Sequence, residues 1–281
     1  MPRARATDDT VMAVAAPRID TADHVELPGR RLRLLSCNIL AGARIDRYRH
    51  YVTRVAQQVL PNRDKRANLD RLASLIADYD VIGLQEADAG SLRSGFLNQT
   101  QYLAEAAGMP YWSHQPNRRV ARMAASSNGL ISRPQPSAVL DYPLPGRIPG
   151  RGALLARYGH GEDTLAVVVA HLSLGAQSRA RQLDFLGELL SDYPHAVLMG
   201  DLNCEARELD SLFKRTSLQQ PGFPVATFPS WQPRRAIDHI LVSEGITVER
   251  VRALSSAFSD HLPVAAELHL PDSAAKAMAE P

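Results

Sequence analysis

The chain has 281 residues, 45% of them hydrophobic, with 32 basic residues set against 30 acidic ones for a formal charge of +2. That length and apolar content exclude a disordered chain and allow a large core, while the near-neutral balance does not by itself indicate a polyanion partner. Two cysteines, Cys37 and Cys204, exclude a disulfide framework and point to a cytoplasmic chain.

Residues 1–30 are polar and rich in Pro and Arg, without an apolar stretch of signal-peptide length, and are expected to form a flexible N-terminal tail. "RLRLLSCNIL" alternates and then turns apolar, predicting a strand near 32–39. The following stretch, "ARIDRYRHYVTRVAQQVLPNRDKR", is a long connection suited to walling a cleft. "DKRANLDRLASLIADY" places Leu69, Leu72, Leu75 and Ile76 on one helical face, "DVIGLQE" is a short buried strand, and "GFLNQTQYLAEAAG" is a helix stopped by Gly108.

After an arginine-bearing loop, "PNRRVARMA", strands are expected at "SNGLISR", "GALLARYG", "TLAVVVAHLS", "HAVLMGD", "IDHILVS", "TVERVRAL" and "LPVAAELHL". One helix, "GAQSRARQLDFLGELLSDY", interrupts them with Leu183, Leu186 and Leu190 as its stripe; Arg179 and Gln182 would anchor it to its neighbours. Residues 271–281 resemble a C-terminal tail. No linker divides residues 31–270, so a single α/β (α+β) domain is expected, two mainly antiparallel sheets face to face with helices outside. No run of about 18 apolar residues occurs, so no stable membrane insertion is expected.

The strand ends carry the chemistry. Asn38, Glu86, His171, Asp201 with Asn203, Asp238, and Asp260 with His261 each sit in or against an apolar strand. Alone, Gly-Asp-x-Asn is turn chemistry. Burying a carboxylate or imidazole is costly unless it is paired or binds a metal, so six such segments argue for one polar pocket where the strand ends meet. Glu86, Asp260 and the Asn38 carbonyl are oxygen donors suited to Mg²⁺, with Mn²⁺ as a substitute. Asp201 and Asn203 suit the holding and activation of a water. Asp238 and His261 suit a carboxylate–imidazole pair facing a phosphoryl oxygen, with His171 as a second donor. No Ser or Cys occupies a nucleophile elbow, which favours attack by water.

"SCNIL", "GLQEAD", "AHLS", "MGDLNC", "IDHILVS" and "SDHLPV", in this order from Arg31 to Leu270, resemble the endonuclease/exonuclease/phosphatase superfamily, the DNase I-like fold. The resemblance implies a four-layered α/β sandwich and metal-dependent hydrolysis of phosphate esters. It makes Glu86 the principal Mg²⁺ ligand with Asn38 and Asp260 beside it, Asp201 and Asn203 the water-handling pair, and Asp238–His261 the dyad at the phosphate. His171 is similar to the histidine of nuclease, sphingomyelinase and inositol-phosphatase branches, where abasic-site relatives tend to carry tyrosine. The expected substrate is nucleic acid, because Arg118, Arg119, Arg122, Arg147, Arg151, Arg234 and Arg235 flank the expected cleft. A phospholipid, sphingolipid or inositol phosphate is the alternative, disfavoured by the lack of any evident apolar hairpin. A non-catalytic binding protein on the same scaffold is the second alternative. A monomer is expected.

Overall fold

The structure, a computed structural model, describes residues 31–43, 63–120, 123–147 and 149–279. The expected N-terminal tail, Arg122 and most of the long connection after the first strand lie outside them. Among the described residues twelve strands and five α-helices run in the order β1 (Arg31–Asn38), α1 (Arg63–Ile76), β2 (Val81–Asp88), α2 (Gln99–Ala106), β3 (Tyr111–Val120), β4 (Ala124–Ser132), β5 (Ala138–Pro143), β6 (Gly152–Tyr158), β7 (Leu165–His171), α3 (Ala176–Leu190), β8 (His195–Asp201), α4 (Asp210–Phe213), β9 (Leu218–Gln219), β10 (Asp238–Ser243), β11 (Thr247–Ala253), β12 (Val264–His269) and α5 (Asp272–Ala279).

They form two six-stranded sheets, ordered β11-β12-β1-β2-β4-β3 and β5-β6-β7-β8-β10-β9. Each sheet has one central parallel pair, β1–β2 and β7–β8, and is otherwise antiparallel. Side chains alternate along a strand, so each central strand supplies two cores. Leu32, Leu34, Val167, Val169, Val197 and Met199 fill the space between the sheets. Leu35 and Cys37 face outward onto Leu69, Leu72 and Ile76 of α1, while Val168 and Leu198 face outward onto Leu183, Leu186 and Leu190 of α3. Helix, sheet, sheet, helix: this is the four-layered sandwich. Strands buried on both faces must be apolar throughout, which is why they read as continuous hydrophobic runs.

Three strands were not legible in the sequence, and all three are sheet edges: β3, β5 and β9. An edge strand covers less core and tolerates proline and polar residues. The expected arginine loop is accordingly a correction, because Pro116, Arg118 and Arg119 belong to β3, with a register shift between Pro116 and Arg118.

The expected C-terminal tail is a second correction. Residues 272–279 form α5, and its Ala274 and Met278 join the core between the sheets. Ala274, Ala277 and Met278 lie on one helical face, and burying that stripe outweighs the polar look of the segment. The helix closes the sandwich at the start of β8, where Ser273 bonds His195 at 3.0 Å, leaving the opposite end for the polar strand tips. Among the described residues no helix is long and apolar enough to cross a membrane.

Gly200 makes the close approach of β7 and β8 feasible. Its φ is +147°, and a Cβ there would stand 1.9 Å from the Ala170 carbonyl oxygen. Backbone cannot swing aside as a side chain can. Gly200→Ala is therefore expected to destabilise the fold by about 1–3 kcal/mol or more, the usual cost of overpacking. Urea unfolding of the variant checks this, and an unchanged midpoint would refute the close approach.

Candidate active site

The polar tips are extensions of the inner faces of the strands. His171 continues Val167 and Val169, and Asp201 continues Val197 and Met199; cross-strand register places His171 beside Asp201 and Asp201 beside Asp238. From the facing sheet, Asn38 continues Leu32 and Leu34. The site is thus the polar end of the inter-sheet core.

Glu86 does not follow from alternation. Gln85 is buried within bonding reach of Ser36, so Glu86 in a regular strand would face the opposite, helix-covered side. A bulge between Leu84 and Ala87, with Glu86 at φ +56°, reverses this. Leu84 and Ala87 both stay in the outer core, and the Glu86 carboxylate comes to 3.9 Å from His171 Nε2 on the other sheet. A left-handed conformation in a non-glycine residue costs about 1–3 kcal/mol and persists only when its surroundings enforce it. Asn203, at φ +53°, is the second such residue at the site.

Asp201 is the hub. Its Oδ2 accepts from Asn38 Nδ2 at 3.1 Å and lies 3.4 Å from His171 Nε2 and 3.8 Å from His261 Nε2. Its Oδ1 accepts the Asn203 backbone N–H at 3.0 Å. Burial first, then the charge of Asp238, pushes its pKa up to about 7. His261 Nδ1 pairs with Asp238 Oδ2 at 2.9 Å. Burial opposes the imidazolium, but the charge and hydrogen bond of Asp238, with Asp201 and Asp260 behind it, push its pKa up to about 10. His171 goes the other way: burial, then the charges of Arg151 and His261, hold it well below the usual histidine range. The two histidines of one pocket are therefore split into a charged and a neutral ring. Burial and then the charge of Asp260 raise Glu86 above the ordinary carboxylate range, against Arg151 and His261.

The structure thus brings Asn38, Glu86, His171, Asp201, Asn203, Asp238, Asp260 and His261 together. The arginines fare differently. Only the backbone positions of Arg118 and Arg119 are described, opposite Ser126 and Ala125. Arg234 is exposed on the 227–235 loop, which reaches the site through Phe228, whose ring centroid is 4.9 Å from that of His261. Arg151 acts by its charge on both Glu86 and His171.

The family model for the endonuclease/exonuclease/phosphatase family matches residues 35–261. The chain belongs to this family. Members of the family are hydrolases of phosphate esters, generally dependent on a divalent metal. Solved structures share the fold. An endonuclease/exonuclease/phosphatase from Beutenbergia cavernae aligns with a TM-score of 0.66 at 21% identity, over 86% of this chain and 72% of that one. A mannosyl-6-phosphatase from Bacteroides thetaiotaomicron gives 0.61 at 18% identity, over 84% and 99%. D. rerio TDP2, in complex with a single-strand DNA product, gives 0.60 at 16% identity, over 85% and 99%. No curated protein matches the sequence.

Within this member of the family, several supporting residues escaped sequence reasoning. Thr227 is fully buried and donates to Asp238 Oδ2 at 2.5 Å, the same oxygen that receives His261. Ser259 Oγ donates to the Asn38 carbonyl at 2.5 Å and accepts the His261 N–H at 3.0 Å, tying the end of β1 to the loop before β12. The Leu172 carbonyl receives the Asn203 side-chain amide at 2.9 Å. Hydroxyls and carbonyls occur everywhere in a chain, so nothing local marks these ones. Arg179 and Gln182 serve as anchors: Gln182 Oε1 accepts the Ser173 N–H at 2.8 Å, and Arg179 donates to the carbonyl of Leu174 at 2.8 Å.

Proposed function

We propose that this chain is a divalent-metal-dependent phosphoesterase in which water attacks the phosphorus. The observation that carries the reading is the Asp201 carboxylate, buried, raised towards neutrality and set between two differently charged histidines and an amide. A carboxylate of that character is suited to take a proton from water at neutral pH. Asn203, clamped by Leu172 and by Asp201, orients that water. His261, kept charged by Asp238, faces negative charge as it builds on the phosphoryl oxygens. His171, neutral, donates or accepts a hydrogen bond beside it.

Glu86 and Asp260 fit a hard cation. They are two carboxylates close enough for the charge of one to raise the other, and oxygen donors of this kind suit Mg²⁺ or Mn²⁺. Asn38 stands beside them, its Oδ1 accepting the Leu40 N–H at 3.2 Å. A second donor group, Asp201, Asp238 and His261, has its ligand atoms within 4.8 Å of one another. It fits less well, because Asp238 keeps the His261 ring protonated, and an imidazolium has no lone pair to offer a metal. A bound cation would supply Lewis-acid polarisation of a phosphoryl oxygen.

Chelation with EDTA is expected to abolish hydrolysis of a generic phosphodiester, and added Mg²⁺ to restore it. Glu86→Gln is expected to weaken Mg²⁺ binding, read by calorimetry, by at least the roughly 10–100-fold typical of metal-site partners. Activity that survives EDTA removes the metal from the reading. The exposed Arg147, Arg234 and Arg235 suit a polyanionic substrate, a property that the nucleic acid expected from the sequence shares with the anionic-lipid alternative. The reading of the chain as a cytoplasmic protein is supported by two free, buried cysteines. A non-catalytic scaffold is disfavoured because the eight expected catalytic and metal-binding side chains, from Asn38 to His261, are all present at one end of the sandwich.

A further inference from the structure

Among the described residues five large apolar side chains are exposed: Leu92, Phe96, Met123, Leu174 and Phe223. Single exposed apolar residues scattered over a surface need no explanation. These are not scattered. Leu92 and Phe96 follow β2, directly beyond Glu86, and the Arg93 N–H bonds the Met123 carbonyl at 3.2 Å in the turn from β3 to β4. Leu174 lies two residues past the Leu172 carbonyl that holds Asn203. Phe223 lies between Gln220, bound to His239 at 2.9 Å, and Thr227, bound to Asp238. All five therefore stand at the site end of the sandwich.

Their order in the sheets spreads them around the mouth. Leu92, Phe96 and Met123 belong to the β2–β4 side of one sheet; Leu174 follows β7 in the other, and Phe223 precedes β10, beyond β8. Each is displayed on a turn braced by polar groups from beneath. Asp88, fully buried, accepts from Gly90, Ser91, Arg93 and Ser94 to hold the 89–96 turn. Gln182 and Arg179 hold the turn of Leu174, and His239 holds the start of the loop of Phe223. Phe96, Leu174 and Phe223 are 66%, 77% and 92% exposed, far beyond what the packing of their own turns requires. Arg147, Arg234 and Arg235 are exposed on the same end, Arg147 through a backbone contact to Ser178 in the first turn of α3.

We infer that this rim docks on a lipid–water interface with anionic headgroups, so that the phosphate ester reaching the site belongs to an amphiphile. A bilayer surface can meet apolar projections on several sides of a mouth at once, and the arginines exposed at the same end meet headgroup phosphates. One extended nucleic-acid strand crossing the mouth would leave part of the rim uncovered, and Leu92, Met123 and Leu174 offer no ring for a base to stack on. The absence of an apolar loop, which counted against a lipid in the sequence, does not hold in the structure. The inference rests on the phosphoesterase reading and names its substrate class.

The full chain is sedimented with vesicles of phosphatidylcholine mixed with phosphatidylglycerol, beside the variant Phe96→Ser, Leu174→Ser, Phe223→Ser. Wild type is expected to partition into the pellet and the variant to lose about tenfold or more, as the apolar area removed from water predicts. Both are expected to show the same thermal transition and to hydrolyse a soluble phosphodiester at equal rates. Equal partition of the two proteins, or none by either, overturns the docking surface. So does a single-stranded oligonucleotide whose binding falls in the variant while vesicles are ignored. A wild type that sediments with vesicles but leaves the soluble ester intact supports the rim and refutes the phosphoesterase reading alone.

Discussion

Asp201→Ala is expected to lower phosphodiester turnover by on the order of 10²-fold or more, the scale on which a positioned general base contributes. The size of the effect follows from how many partners share one carboxylate. Its Oδ2 stands within 3.8 Å of the polar atoms of Asn38, His171 and His261, and its Oδ1 holds the Asn203 backbone. Removing it takes away the proton acceptor and loosens the residue assigned to orient the water. Asp201→Asn separates these losses, since it keeps the volume while removing the charge. Turnover of either variant within a few-fold of wild type, measured at saturating Mg²⁺, would rule out Asp201 as the base.

His261→Ala and Asp238→Asn are each expected to cost about 10²–10⁴-fold, and the double variant little more than the worse single one, because groups that act as a unit are non-additive. The Asp238 Oδ2 that binds His261 Nδ1 at 2.9 Å is also bound by Thr227 at 2.5 Å. Thr227 thus fixes the carboxylate that fixes the imidazole, a chain of orientation ending at the charged ring. Thr227→Val, which keeps the shape, is expected to lose a smaller part of the same activity and none once Asp238 is already replaced. Multiplicative losses in the cycle would show that Asp238 and His261 act separately.

Much of this is legible in the sequence. Continuous apolar runs identified most central strands of both sheets, because those strands are buried on both faces and leave few polar residues in their bodies. The polar residues at their tips were conspicuous for the same reason. His171 and Asp201 stand out against "AVVVA" and "AVLMG", and in a regular strand their parity alone places them on the inner face. Weak signals failed where burial is weak: the edge strands β3, β5 and β9 carry little core, and α5 hides a stripe of alanines and one methionine in a polar-looking terminus.

The sequence by itself determined which side chains end the central strands, and with them the sandwich, the family and the inventory of the pocket. Only the tertiary structure decided how that inventory is wired. Glu86 faces the pocket because a bulge reverses its parity, and no local pattern encodes a bulge that the opposite sheet must reward. Thr227 serves Asp238 and Ser259 serves Asn38, across 11 and 221 residues of chain, through groups too common to be recognised one at a time. The apolar rim, too, exists only once its turns are brought to one end, because exposure is a property of the packed molecule and not of a leucine or a phenylalanine in a list of residues.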